Sequence, residues 1–161
     1  MAGATAVGSG DVALLVKRAF ERLGHEVRLI STEENLPLLS HLGYRLNNGV
    51  RMRSLSYSRH VYRVARAWQP DLIYFDASNP LVVPCTLRRL KREVGCPLIL
   101  WEVNNFIWLG HEMECIPYYD HIYITDSYMI PVVRRAGGRS VSFLAPCADP
   151  AEHFPVEMSP E

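Results

Sequence analysis

The sequence has no excess of charge of either sign and no long hydrophobic run. Its 17 Lys and Arg residues balance 17 Asp and Glu residues, so we expect no nucleic-acid partner. No stretch approaches the roughly 18 consecutive apolar residues of a membrane span. Residues 1–10 lack the basic and apolar regions of an export signal. These absences predict a cytoplasmic protein without an integral membrane segment.

Cysteine is also scarce, and its spacing is unlike that of a metal site. Cys85, Cys96, Cys115 and Cys147 form no CxxC pair, and no histidine is placed to complete a zinc site with them. Such spacing favours reduced thiols in a reducing compartment. We therefore expect no zinc site at these cysteines.

Short apolar runs alternate with stretches of helical periodicity along the chain. Strands are predicted over residues 4–7, 27–30, 72–75, 98–101, 121–125 and 141–144, and helices over 12–23, 54–68, 83–94 and 127–136. Asp11 stands where an N-cap would, and Gly24 can close the first helix. This alternation predicts an α/β fold, a Rossmann-like, doubly wound and mostly parallel six-stranded sheet with helices on both faces.

The length of 161 residues suits one such domain rather than two. We assign residues 1–146 to the Rossmann-like domain. Residues 147–161 contain several prolines and acidic residues but no Lys or Arg, which is typical of an interdomain linker. Residues 31–48 lack a clean period and are expected to form a long connection.

Polar residues follow several of the predicted strands. In a doubly wound sheet, ligands bind beyond the carboxyl ends of the strands, so position alone nominates a ligand-binding set. The set comprises Gly8, Ser9, Gly10, Asn104, Asn105, Asp126 and Ser127. The glycine loop could approach a phosphate or sugar, and the amides could both donate and accept hydrogen bonds. The structural alternatives are a tight glycine turn, a self-capping asparagine turn and a helix N-cap at Asp126.

The glycine loop does not complete the dinucleotide-binding fingerprint. Ala13 occupies the third glycine position, and no acidic residue directly follows the second strand. A phosphoacceptor receiver domain would need an acidic cluster after its first strand, where this chain has Asp11 alone. Both an NAD-dependent enzyme and a receiver domain therefore fit the sequence poorly.

Three residues are candidates for acid–base chemistry. Asp76 and Glu102 come at the ends of buried strands, and His111 lies in a predicted loop where its imidazole could titrate near neutral pH. A loop histidine is more often only solvated. No Ser/His/Asp or Cys/His arrangement supports nucleophilic catalysis.

The middle of the chain is basic. No acidic residue occurs between Glu34 and Asp71, whereas several arginines do, among them Arg51, Arg53 and Arg59. These arginines are candidates for binding phosphate or an anionic membrane surface. The alternative is a solvated helix face.

Several passages carry a family resemblance. They are the glycine loop with Leu23-Gly24-His25-Glu26-Val27, the run Gln69-Pro70-Asp71 with the strand entry at residues 119–126, and the stretch at residues 144–155. Together they resemble the N-terminal half of GT-B glycosyltransferases, especially the spore-maturation CgeB type and family-four-like enzymes. The resemblance spans nearly the whole chain. CgeB-like sequences often carry an aspartate after the fourth strand, where this chain has Asn104 and Asn105.

The resemblance implies the acceptor-binding half of a nucleotide-sugar-dependent glycosyltransferase. It also implies no metal and no bound cofactor, because GT-B sites usually hold the diphosphate with a helix dipole and side chains. The nucleotide sugar would be a co-substrate, and the donor-binding half would be a missing C-terminal domain or a separate partner chain. The implied partners are a sugar acceptor and that donor-binding half, and the chain could also form a homodimer. The alternative is a non-enzymatic Rossmann-like module that binds a ligand or a protein.

Overall fold

Six parallel strands form the sheet in the computed structural model, which describes residues 3–8, 10–31, 49–76, 82–103, 110–146 and 148–150. The strands are β1 (Gly3–Gly8), β2 (Glu26–Ser31), β3 (Leu72–Asp76), β4 (Leu98–Glu102), β5 (His121–Ile124) and β6 (Val141–Phe143). Their order across the sheet is β2-β1-β3-β4-β5-β6. The predicted α/β, doubly wound, six-stranded fold is confirmed, and every described strand pair is parallel.

Helices connect the strands within the described ranges. They are α1 (Gly10–Arg22), α2 (Gly49–Trp68), α3 (Pro84–Glu93), α4 (Gly110–Cys115) and α5 (Ile130–Arg135), with short 3₁₀ turns at Ile116–Tyr118 and Ser127–Met129. Of the long connection predicted at residues 31–48, Ser31 belongs instead to β2, and the other residues lie outside the described ones.

Three local predictions need correction. Helix α2 begins at Gly49 rather than Ser54, because arginine and methionine sustain a helix without belonging to its apolar stripe. His111 lies in α4 and not in a loop, since a helix of six residues is too short to show a period. Asp11 lies inside α1, which begins one residue earlier at Gly10, so it is not the N-cap.

The two faces of the sheet are covered unequally. Helix α1 packs its Val12, Val16 and Phe20 against Tyr74 and Trp101 on one face. The larger core lies on the opposite face, where buried side chains of α2, α3 and α5 pack against the central strands. Within the described residues, α1 is therefore the only helix on its face.

Glycine ends α1 through a specific hydrogen-bond pattern. Gly24 has a φ of 86°, which a residue with a side chain rarely adopts. The N–H of Gly24 donates to the Glu21 carbonyl at 3.0 Å, and the N–H of His25 donates to the Phe20 carbonyl at 3.1 Å. These two bonds form a Schellman motif, which directs the chain into β2.

Two aspartates at the amino edge of the sheet each hold one pair of neighbouring strands in register. Asp71 precedes β3, and its carboxylate accepts a hydrogen bond of 2.6 Å from the N–H of Gly3, the first residue of β1. Asp120 precedes β5, and its carboxylate accepts one of 2.8 Å from the N–H of Leu98, the first residue of β4. The same aspartates donate their own N–H groups to the Gly3 and Leu98 carbonyls, at 2.7 and 2.8 Å. Each aspartate therefore makes two hydrogen bonds to the first residue of a neighbouring strand, one accepted by its carboxylate and one donated by its backbone N–H.

A polar cluster joins α2 to α3. The Tyr62 hydroxyl donates to the Glu93 carboxylate, which also accepts from Arg92 at 2.6 Å and from Arg89 at 3.3 Å. The Arg89 guanidinium lies 4.0 Å from the centre of the Tyr62 ring, a cation–π distance. The hydrogen bond from Tyr62 and those from Arg92 and Arg89 lower the pKa of Glu93 from 4.5 to about 2. These interactions therefore stabilise the ionised form of Glu93.

We expect Asp120→Ala to lower the free energy of unfolding by about 1 to 2 kcal/mol, because the Leu98 N–H loses a charged acceptor. Asp120→Asn keeps an oxygen acceptor and should lose less. Urea denaturation measures both. Glu114→Ala, at an exposed carboxylate, is the control and should have almost no effect. Equal stability of the Asp120→Ala and Glu114→Ala variants would contradict the role of this hydrogen bond.

Glu93 should make stability depend on pH. Its folded-state pKa is about 2, below the ordinary 4.5, so its contribution is complete above about pH 4.5 and is lost as the pH falls towards about 2. Glu93→Gln lacks this titration. The stability difference between the wild type and this variant should therefore shrink between about pH 5 and pH 3 in denaturant titrations. A difference that stays constant over that range would show that the carboxylate is not stabilised in its ionised form.

Candidate functional site

The carboxyl ends of four adjacent strands form one edge of the sheet. Gly8, Asp76 and Glu102 are the last residues of β1, β3 and β4, and Asp126 follows β5 by two residues. The strands are parallel neighbours in the order β1-β3-β4-β5, so their ends lie at the same edge. The prediction that these positions share one edge is confirmed for the described residues.

The switch point of the fold lies between β1 and β3. From β1, the chain crosses through α1 to β2 on one side, while β3 lies on the other side. Val7 pairs with Phe75, so Gly8 and Asp76 are the next residues on the two strands. Helix α1 begins at Gly10, so its positive N-terminal end lies at this crevice. Doubly wound sheets place their ligands at such a point.

Asp76 is a buried carboxylate on the α1 side of the sheet. It pairs with Trp101 and follows Tyr74 by two residues, and both aromatic residues belong to the core beneath α1. Side chains alternate between faces along a strand, so Asp76 shares their face. Only 1% of Asp76 is exposed, and it interacts with another residue of the chain.

Glu102 lies on the opposite face. The sequence predicted that Glu102 follows the strand, but it is the last residue of β4. Only 3% of it is exposed. It pairs with Ile124 and follows Leu100 by two residues, and both belong to the core beneath α2 and α3. Asp76 and Glu102 are therefore close in the sheet but point to different faces, so they do not form a pair of facing carboxylates.

Asp126 caps the turn that follows β5. Its backbone is extended, with φ −119° and ψ 108°, and its carboxylate accepts the N–H of Tyr128 at 2.9 Å. This is the helix-capping alternative that the sequence offered, and the structure confirms it. Ser127 is exposed in the 3₁₀ turn. The Thr125 N–H donates to the Glu102 carbonyl at 3.2 Å, which ties this turn to β4.

The remaining candidates are only partly located. Ser9, Asn104 and Asn105 lie outside the described residues, and the side chain of His111 is not among the described ones. Arg51 and Arg53 lie in the first half of α2, also without described side chains, and Arg59 is exposed on the same helix. The Tyr57 hydroxyl donates to the Ile30 carbonyl at 2.9 Å, so α2 lies against the end of β2.

Sequence reasoning missed an ion pair on the α1 face. The two guanidinium nitrogens Nη1 and Nη2 of Arg22 donate to the two oxygens of Asp149, each at 2.9 Å. The side chain of Asp149 is only 7% exposed. The two residues are 127 positions apart, so no local pattern could indicate the contact.

No helix in the described ranges is long and apolar enough to cross a membrane. The same residues contain no group of His, Cys, Asp and Glu that could hold a metal ion.

Comparisons with known proteins find similar solved structures. No protein-family model matches the sequence, and no curated protein matches it. The fold is similar to a solved structure of the spinosyn rhamnosyltransferase SpnG complexed with thymidine diphosphate, at 17% identity and a TM-score of 0.41. The alignment covers 85% of this chain and 41% of that chain, so the chain spans less than half the length of this relative.

Replacing Asp126 tests its role as a cap. We expect Asp126→Ala to lower the free energy of unfolding by about 1 kcal/mol, because the Tyr128 N–H loses its acceptor. Asp126→Ser retains a side-chain oxygen and should keep most of the stability. Thermal denaturation compares both with Ser127→Ala, a neighbouring exposed position where no change is expected. A fully stable Asp126→Ala variant would exclude the capping role.

Proposed function

We propose that the chain is the acceptor-binding half of a nucleotide-sugar-dependent glycosyltransferase. The observation that carries the proposal is Asp76, a buried carboxylate at the switch point, next to Gly8 and the start of α1. A ligand entering this crevice would meet the carboxylate and the N-terminal end of a helix. The resemblance of the glycine loop to that of GT-B enzymes supports the same proposal.

Asp76 is the first candidate for the catalytic base. In glycosyl transfer, the acceptor oxygen forms a bond to the anomeric carbon while the nucleoside diphosphate leaves, and the hydroxyl proton passes to a base. A carboxylate at the crevice can accept that proton. Glu102 points to the other face, so we assign it to positioning the end of β4, with His111 as a third candidate.

Backbone and amide groups would bind the acceptor sugar. Asn104 and Asn105 follow β4 closely, and amides both donate to and accept from sugar hydroxyls. The loop at Gly8, Ser9 and Gly10 would let the ligand approach the backbone, and Ser127 would offer an exposed hydroxyl. We assign Arg51, Arg53 and Arg59 to binding an anionic group near the first half of α2.

We assign the contacts to the nucleotide-sugar donor to a further domain or to a partner chain. In the enzymes that the sequence resembles, the C-terminal half supplies most contacts to the nucleotide diphosphate. A nucleotide sugar would then be a co-substrate held between the halves, and the chain by itself would bind acceptor without turnover.

A non-enzymatic binding module is the second candidate, and a specific observation favours it. Asp76 and Glu102 point to opposite faces, and Asp126 is occupied as a cap, so the described residues do not form an acid–base pair at this edge. Such a module would bind a ligand and would not gain activity when a donor-binding half is added.

Sugar binding by the purified chain tests the proposal. We expect saturation-transfer NMR with a panel of methyl glycosides to detect binding. The double variant with Asn104→Ala and Asn105→Ala should bind about tenfold more weakly, which corresponds to a loss of about 1.4 kcal/mol of binding free energy. Asp76→Asn should weaken it less, because it keeps the shape of the side chain. Thermal stability of the asparagine variants should be unchanged.

Glu114→Gln, at an exposed carboxylate of α4, is the matched control for Asp76→Asn. Binding that is unaffected by all of these edge variants would contradict the site assignment. Sugar transfer from a nucleotide donor by the chain alone would contradict the half-enzyme proposal. Activity that appears only with a donor-binding half would exclude the non-enzymatic module.

A further inference from the structure

The exposed surface of α2 and α3 is strongly basic. Residues 55–68 of α2 and the whole of α3 contain seven cationic side chains, all of them exposed, and a single carboxylate. The cations are Arg59, Arg63, Arg66, Arg88, Arg89, Lys91 and Arg92, and the carboxylate is Glu93. We call this surface the basic face. Because the whole chain has no net charge, the basic face concentrates positive charge on one side of the sheet.

Contacts between the two helices make the basic face one surface. The hydroxyl of Ser58 on α2 accepts the N–H of Val83, the residue before α3, at 3.0 Å. Further along both helices, the Arg89 guanidinium lies 4.0 Å from the centre of the Tyr62 ring. The buried sides of α2 and α3 belong to the larger core, so their exposed sides point away from the sheet. The cations therefore lie on the outer surface of a two-helix layer.

Part of this charge is bound within the chain. Glu93 pairs with Arg89 at 3.3 Å and with Arg92 at 2.6 Å. Lys91 forms an ion pair with Asp120. Lys91 and Arg92 also lie in the last turn of α3, where the helix dipole stabilises a cation. These three cations therefore have a structural role.

Arg59, Arg63 and Arg88 have no such role. Within the described ranges, none of the three forms an ion pair. Each lies away from the last turn of its helix, unlike Arg66, so the dipole does not stabilise it. Arg59 and Arg63 are four residues apart and repel each other on the helix surface. Three unpaired arginines on one face are more than solubility requires, and they indicate an anionic partner.

An exposed leucine lies beside these arginines. Leu55 is 44% exposed, and Leu55, Arg59 and Arg63 follow one another at intervals of four, which places them along one side of α2. Helices that lie on anionic bilayers combine cations with large apolar side chains in this way. The cations meet the headgroups, and the apolar side chain enters the boundary below them.

We propose that the basic face docks on an anionic lipid surface, with Arg59, Arg63 and Arg88 at the headgroups and Leu55 inserted between them. A fluid bilayer brings anionic headgroups to each arginine, so it needs no fixed pattern of partner charges. A nucleic acid would bind the same cations but would give Leu55 no role. The proposal goes beyond the proposed function and does not rest on it. Only Arg59 is shared with the proposed acceptor site, so the tests replace other residues.

Vesicle co-sedimentation of the whole chain tests the proposal. We expect binding to phosphatidylcholine vesicles that contain about one third phosphatidylserine, and no binding to phosphatidylcholine alone. Binding should weaken as the ionic strength rises, because salt screens the exposed arginines. The double variant with Arg63→Gln and Arg88→Gln should bind about 25-fold more weakly, since each cation near an anionic surface contributes about fivefold.

The matched control is the double variant with Lys17→Gln and Arg18→Gln. It removes the same charge from α1, on the opposite face of the sheet, and should bind the vesicles as the wild type does. Leu55→Ser should weaken vesicle binding without changing its dependence on salt, because it removes apolar contact and no charge. All of these positions are at least partly exposed, so the variants should keep the thermal stability of the wild type.

Three results would overturn the proposal. The first is that the wild type does not bind the anionic vesicles. The second is an equal loss of binding in the two double variants, since the attraction would then depend on total charge and not on the basic face. The third is tighter binding to duplex DNA or to polyglutamate than to vesicles at the same concentration of negative charge. That result would assign the face to a nucleic acid or an acidic protein.

This experiment is separate from the test of the proposed function. The variant with Arg63→Gln and Arg88→Gln should bind methyl glycosides as the wild type does, because neither residue is assigned to the acceptor site. Loss of vesicle binding with normal sugar binding would support the basic face as a distinct surface. Loss of both would contradict that separation.

Discussion

The rest of the structure depends on the register of the parallel sheet, and two aspartates at its amino edge hold two of the described strand pairs, β1 with β3 and β4 with β5. Asp71 and Asp120 each accept the N–H of the first residue of a neighbouring strand and donate their own N–H to its carbonyl. For Asp120, burial alone would raise the carboxyl pKa, but hydrogen bonds from Lys91 and the Leu98 N–H outweigh it, so the pKa is lowered. A slip of one residue between two strands would change which side chains lie side by side, so these contacts help to hold β3 against β1 and β4 against β5 in the observed register.

The passages that resemble glycosyltransferases include these same aspartates. In Gln69-Pro70-Asp71, Gln69 ends α2 in a left-handed conformation with a φ of 52°, and its side chain donates to the Arg66 carbonyl at 2.7 Å. Asp71 accepts a hydrogen bond from the first residue of β1. Asp120 of the second strand entry accepts one from the first residue of β4, and Gly24 ends α1. All of these residues lie at the amino edge, far from the crevice at Gly8. They therefore specify the fold, and a ligand must be argued from the opposite edge.

The sequence predicted the fold well because short apolar runs and stretches of helical periodicity alternate clearly along it. It could not predict the faces of Asp76 and Glu102. The strands Leu72–Asp76 and Leu98–Glu102 are apolar on both faces, so no alternation marks which side chains share a face. Nor could it predict the contact of Arg22 with Asp149, which needs the chain to return from β6 to α1. The cap at Asp126 was predictable, because its carboxylate acts within two residues.

The divergence of the two buried carboxylates limits the chemistry of the crevice. Facing carboxylates can share a proton or act as acid and base, whereas Asp76 and Glu102 are separated by the sheet itself. Under the proposed function, a second reacting group at this edge would therefore have to come from a side chain that the structure does not describe, such as that of Asn104 or His111. Under the proposed function, Asp76 at the switch point would accept the proton of the acceptor hydroxyl. In the proposed glycosyltransferase, activation of the leaving group would then have to come from the donor-binding half.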